Sequence, residues 1–226
     1  MCGRFALGWP SKKIQQHFQV PDVPELVARY NIAPSQDVAV IRQLTDSRPR
    51  QFEMLRWGLI PPWAKDMKIG YKMINARAET ISEKPSFRTP FNKRRCLIAA
   101  DGFYEWLHTG KTKQPYHIKL KDNSLFGFAG LWESWHDQAG KIIESCTIIT
   151  TTANTLIKPV HDRMPVIIQP ADYNAWLGHH TNQDTLQTLL KPYAAEEMVA
   201  YRVSSKVNSP QYDAPDCLLK ITETLF

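Results

Sequence analysis

The chain has 226 residues, 43% of them hydrophobic and 22% charged, a balance that fits a globular protein with a sizeable core. No apolar run approaches the roughly 18 residues of a membrane span and no charged-then-apolar leader opens the chain, so membrane and secreted classes are set aside and a cytoplasmic location is expected. The net charge of +6 favours polyanionic partners, while four scattered cysteines, Cys2, Cys96, Cys146 and Cys217, with no C-x-x-C pair or nearby His spacing, predict free thiols and no structural metal or cofactor.

Taken in order, the chain opens on Met1-Cys2-Gly3-Arg4. Loss of Met1 would leave Cys2 with an α-amino group and a thiol on adjacent carbons, a 1,2-aminothiol that condenses with aldehydes. Ordinary pKa values of about 8 for the amine and about 8.5 for the thiol leave usable fractions of both nucleophiles near neutrality. Residues 2–7 read as a short strand closed by Gly-Trp-Pro. Ser11 is placed to cap a helix over 12–19, on which Ile14 and Phe18 share a face. Arg29 to Ser35 reads as a loop, and 37–44 with 51–60 as an antiparallel hairpin.

The segment 61–80 begins with two prolines. Near its end Asn75, Arg77 and Glu79 alternate with Ile74, Ala76 and Ala78, so an extended backbone would set an amide, a guanidinium and a carboxylate on one face. That face is either a solvated edge or the wall of a site. Lys84, Arg88, Lys93, Arg94 and Arg95, with Phe87 and Phe91 between them, form a basic cluster that reads as a solvated helix face or as a phosphate-tracking surface.

Residues 96–107 predict one strand, with Phe103, Glu105 and Leu107 pointing one way and Tyr104 and Trp106 the other. A carboxylate between large apolar side chains either pairs with an arginine or has its pKa pushed up, the usual way to make a general acid or base. Three more strands follow, separated by turns, so the expected core is a meander of consecutive antiparallel strands that can curl into a barrel. His161, Asp162 and Arg163 fall in a loop. Short helices are predicted over 171–178 and 184–190, with Leu186, Leu189 and Leu190 in the core, and MVAYRVSSKV and CLLKIT complete the sheet. No linker or repeat divides the chain, so one domain over 1–226 is expected.

CGRFAL, RYNIAPS, WGLIPPW, INARAET, ADGFYEW, HDRMP and VSSKVNSP, in that order, resemble the SRAP family, the SOS response-associated peptidase family of abasic-site processing proteins. The resemblance implies an α+β fold with a curved, barrel-like antiparallel core and peripheral helices. It also implies a monomer acting on abasic sites in single-stranded DNA, with replication-fork proteins as further partners, and a thiazolidine crosslink formed through Cys2 after Met1 is lost. Carried over by motif, Asn75 would hold the terminal Cys, Glu105 shuttle protons and His161 protonate the sugar oxygen. Arg77 and Arg163 would grip phosphates, with Arg4 a further candidate, and Pro34, Ser35 and Trp63 would line the DNA path. Pro85 stands where some members carry an arginine, a charge that Lys84 or Arg88 can replace. Two other readings remain open: a thiol peptidase or amidohydrolase with Cys2 as nucleophile and His161 as base, and a module that holds single strands without a covalent bond.

Overall fold

The computed structural model describes residues 2–110 and 112–221. Its strands are β1 (Arg4–Leu7), β2 (Arg29–Ile32), β3 (Asp37–Arg42), β4 (Gln51–Trp57), β5 (Asn75–Arg77), β6 (Arg95–Ala100), β7 (Gly102–Thr109), β8 (Thr112–Leu120), β9 (Phe126–His136), β10 (Ile142–Thr152), β11 (Arg163–Pro165), β12 (Ile167–Ile168) and β13 (Met198–Arg202). Its α-helices are α1 (Ser11–Phe18), α2 (Pro85–Lys93), α3 (Tyr173–Leu177) and α4 (Gln183–Leu189).

Five strands close on themselves. β4 pairs with β3, β3 with β6, β6 with β9 and β9 with β10, all antiparallel, and β10 returns to β4 in parallel. Closure leaves no free edge on this barrel. The short strands β5 and β11 attach to β10, and β12 attaches to β9. A second, antiparallel sheet runs β13-β8-β7-β1-β2. Aromatic side chains join the two: Phe5 of β1 meets Trp57 and Phe128 edge-on at centroid distances of 5.1 and 5.7 Å, and Phe103 of β7 meets Phe128 at 6.0 Å. The α+β, barrel-centred architecture is as the sequence implies, but the strands do not form one meander. β7 and β8 belong to one sheet, and β9 and β10 to the other.

The stretch read as a single strand over 96–107 is where the chain changes sheets. Asp101 breaks it: its side chain accepts from the Gly8 amide at 2.6 Å while its own amide donates to Ala6 at 3.0 Å. All six residues of β6 are buried, so no alternation marked the break. Three other expectations are corrected. Ser11 does not cap α1; Pro10 holds that position and the Ser11 hydroxyl accepts from the Leu26 amide at 2.9 Å. Residues 29–32 are strand rather than loop. CLLKIT forms no strand over its described residues, 217–221, and its last residue lies outside them: Pro215–Leu218 is a 3-10 turn, followed by a lone bridge between Val203 and Lys220.

The basic cluster also divides. Arg95 is buried, its guanidinium bonded to the carbonyls of Trp176, Phe91, Asn92 and Gly178. Phe91 is fully buried and stacks no base, whereas Lys84, Arg88 and Lys93 stay exposed.

The segment after β13 folds back over β1 and β2. Asn31, fully buried, donates to the carbonyls of Val207, Ser209 and Tyr212, while Asp213 accepts from Arg29 and from the amides of Tyr30 and Asn31. RYNIAPS and VSSKVNSP, far apart in sequence, are thus two halves of one clamp. Because Asn31→Ala removes three donated hydrogen bonds and the acceptor of Arg4 at a fully buried side chain, it is expected to lower unfolding stability by about 3 kcal/mol. Urea denaturation checks this, and an unchanged midpoint would contradict the clamp.

Candidate active site

β1 runs beside β7 with Arg4 opposite Tyr104 and Phe5 opposite Phe103. Just before β1, Cys2 lies close enough to Glu105 for that charge to act on its thiol. The Cys2 side chain is fully enclosed there. Burial pushes its thiol pKa well above the usual value, and the nearby Glu105 charge pushes it further.

Asn75 arrives from the prolyl segment, whose path is fixed by a close backbone crossing. Gly58, at φ +126°, lies against Gly70, and a Cβ on Gly58 would sit 2.6 Å from the Gly70 carbonyl oxygen. The Trp57 indole then donates to the Ile74 carbonyl at 2.9 Å, and β5 pairs in parallel with β10, Asn75 opposite Ile148 and Arg77 opposite Thr150. Asn75 Nδ2 donates to the Cys2 carbonyl at 2.9 Å. Its Oδ1 is buried and accepts no hydrogen bond among the described residues.

Glu105 is 2% exposed, and burial pushes its carboxyl pKa up to about 7. The structure therefore favours the raised-pKa reading of this strand over a simple pairing with arginine. Glu105 and His161 line one cavity of about 400 Å3, together with Trp106, His108, Lys113 and Asn208. The His161 Nδ1 lies 2.9 Å from the Arg163 amide nitrogen and 2.9 Å from Asp162 Oδ1. One nitrogen cannot accept from the amide and donate to the carboxylate at once. Burial lowers the His161 pKa, which favours the neutral ring, with Nδ1 accepting from Arg163 and Nε2 carrying the proton.

The arginines divide into bonded and open ones. Arg77 is exposed, and its guanidinium makes no hydrogen bond or ion pair among the described residues. Arg163 is held by Glu79 in a bidentate pair at 2.6 and 3.0 Å and donates to the Thr150 carbonyl at 2.6 Å. Arg4 donates to Asn31 and to the carbonyls of Val207 and Asn208, so it supports the clamp. Arg88 is exposed on α2, and Trp63 is 59% exposed. Pro34 and Ser35 are half-buried in the turn after β2, Ser35 at φ 74° with its carbonyl accepting from Arg56 at 2.8 Å.

Sequence reasoning missed several cavity residues. Trp106, assigned to the face opposite Glu105, lines the same cavity, and its indole donates to Asn208 Oδ1 at 2.7 Å. Asn208 comes from the folded-back segment, which only the long-range clamp places there. His108 and Lys113 are cross-strand partners on β7 and β8, a pairing that hairpin register alone would have suggested.

The chain matches the family model described as SOS response associated peptidase (SRAP) over residues 1–210. It is 51% identical over 223 residues to the abasic site processing protein YoqW of Bacillus subtilis, covering 96% of this chain and 99% of that one. It is 30% identical to the abasic site processing protein HMCES of Xenopus tropicalis, covering 86% of this chain and 67% of the other. Among solved structures, an X-ray structure of a Bacteroides thetaiotaomicron protein superposes with a TM-score of 0.88 at 30% identity, covering 98% of this chain and all of that one.

A carboxyl group near 4.5 in an unfolded chain and at about 7 in the fold makes the native state the better proton binder between those values. Its contribution to stability is therefore present at low pH and lost as pH rises through that window, by about 3 kcal/mol in all. Relative to Glu105→Gln, the parent protein is expected to lose stability between pH 4.5 and pH 7.5. Denaturant unfolding across that range checks the sign, and a difference that stays flat or grows in the parent's favour would contradict the buried carboxyl.

Proposed function

This chain belongs to the SOS response associated peptidase (SRAP) family, and from that premise we propose that it processes abasic sites in single-stranded DNA by capturing the sugar aldehyde on Cys2. The observation that supports this best is a single constellation: Asn75 bonded to Cys2, with a buried carboxyl of pKa about 7 whose charge acts on the same thiol.

Once Met1 is removed, the chemistry follows from these groups. The Cys2 amine adds to the aldehyde carbon of the ring-opened sugar, giving a carbinolamine. Protonated Glu105 gives that hydroxyl a proton, water leaves, and an iminium forms. The thiol then adds to the imine carbon, the carboxylate takes the thiol proton, and a thiazolidine closes with the net loss of one water. A carboxyl poised at about 7 serves both steps, because each form is well populated near neutral pH. Neutral His161 would donate an Nε2–H hydrogen bond to the sugar ring oxygen as the ring opens, and full proton transfer there would come from the imidazolium form, whose share the lowered pKa reduces. The orphan Asn75 Oδ1 suits a donor such as the freed amine.

Arg77 supplies the open guanidinium for a phosphate beside the lesion, with Arg88 and the exposed Trp63 along the strand's path and Pro34 and Ser35 at its turn. Every group in this scheme comes from one chain, so a monomer suffices. A thiol-peptidase reading has less support: burial raises the Cys2 thiol pKa, the opposite of the activation that a thiolate nucleophile needs.

Cys2→Ala is expected to abolish the protein–DNA species that survives heating in detergent, and Glu105→Gln to slow its formation by about a hundredfold or more while leaving strand affinity intact. Denaturing gel electrophoresis with an abasic oligonucleotide reads both. A heat-stable adduct on the Cys2→Ala protein would overturn the proposal.

A further inference from the structure

The two side chains that flank Cys2 chemistry from the barrel, Asn75 and His161, sit on opposite sides of one strand. Asn75 opens β5 and His161 lies two residues before β11; β5 and β11 both pair with β10 and do not pair with each other. Each is only three residues long, and so short a strand holds its register weakly. Their meeting point on β10 is Thr150, which pairs with Arg77 on one side and with Pro165 on the other.

Arg163 bridges this junction. Its guanidinium bonds to both oxygens of Glu79, just beyond β5, and to the Thr150 carbonyl on β10. Its backbone amide bonds to the Nδ1 of His161 at 2.9 Å. The Arg163 side chain is 13% exposed, and the pairing holds the Glu79 carboxyl below its ordinary pKa, so the pair is formed near neutral pH. One residue therefore couples the His161 ring, through its amide, to the β5 segment that carries Asn75, through its guanidinium.

We propose that Glu79 and Arg163 form a clasp across β10 that fixes the distance between Asn75 and His161, making Glu79 a positioning residue for the aldehyde capture. The inference rests on the proposed function for its catalytic consequence, but the clasp itself is a property of the fold. It differs from a phosphate-binding role for Arg163 in a measurable way. A clasp sets the rate of the bound complex, whereas a phosphate ligand sets affinity and its dependence on salt.

The test uses the processed full-length chain with Glu79→Gln and Glu79→Ala. Hydrogen exchange at the Arg163 and Met164 amides is expected to rise by about tenfold, with β9 unchanged, because local opening follows the lost pair. Adduct formation at saturating abasic oligonucleotide is expected to slow by about tenfold, with the half-saturating concentration and its salt slope unchanged. Unchanged exchange, an unchanged maximal rate, or a steeper salt slope in the variants would each overturn the clasp. If the parent protein forms no adduct at all, the proposed function fails, and the exchange measurement alone decides whether the clasp exists.

Discussion

The arrangement depends on one desolvated carboxyl group. Glu105 sits in a strand whose neighbours Phe103 and Tyr104 are fully buried, and the pairing of β1 with β7 draws the start of the chain up against it. Water is kept from the carboxylate, so the neutral form is favoured and the group titrates near neutrality instead of near 4.5. The same enclosure keeps the Cys2 sulfur protonated. Burial is thereby the largest influence on both the carboxyl and the thiol, and their neighbouring charges adjust it.

Much of the remaining structure keeps that enclosure in place. β1 has only four residues and would hold register poorly by itself. It is secured on one side by Phe5 against Trp57 and Phe128 of the closed barrel, and on the other by Arg4 and Asn31 gripping the folded-back segment around Val207. That segment also delivers Asn208 to the indole of Trp106 at the cavity wall. The barrel supplies the rest: β10 carries β5 and β11, and with them Asn75, Arg77 and the approach to His161.

The parts legible in the sequence were those with local physical signatures. The hairpin of β3 and β4, the strands β8 to β10 and the burial of Glu105 among apolar neighbours followed from alternation and from the cost of burying charge. What was not legible depended on long-range partners. β6 is buried on both faces, so no period showed that the chain passes from barrel to sheet at Asp101. Arg95 and Phe91 looked like part of a basic, aromatic surface, yet the carbonyls of Trp176 and Gly178, from the region of α3, draw the arginine inward. β2 read as a loop because its hydrogen bonds to the tail through Asp213 and Asn31 lie some 180 residues away in sequence, beyond any local pattern.

The central claim is that nitrogen and sulfur of one residue, Cys2, both bond to the sugar carbon. The most direct measurement is mass spectrometry of the adduct after nuclease and trypsin digestion, read on the peptide Cys2-Gly3-Arg4. Such an adduct puts the sugar remnant on that peptide with the net loss of one water, its thiol closed to alkylation and its primary amine converted to a secondary one. A remnant on any other residue, or a Cys2 peptide whose thiol still alkylates, would contradict it.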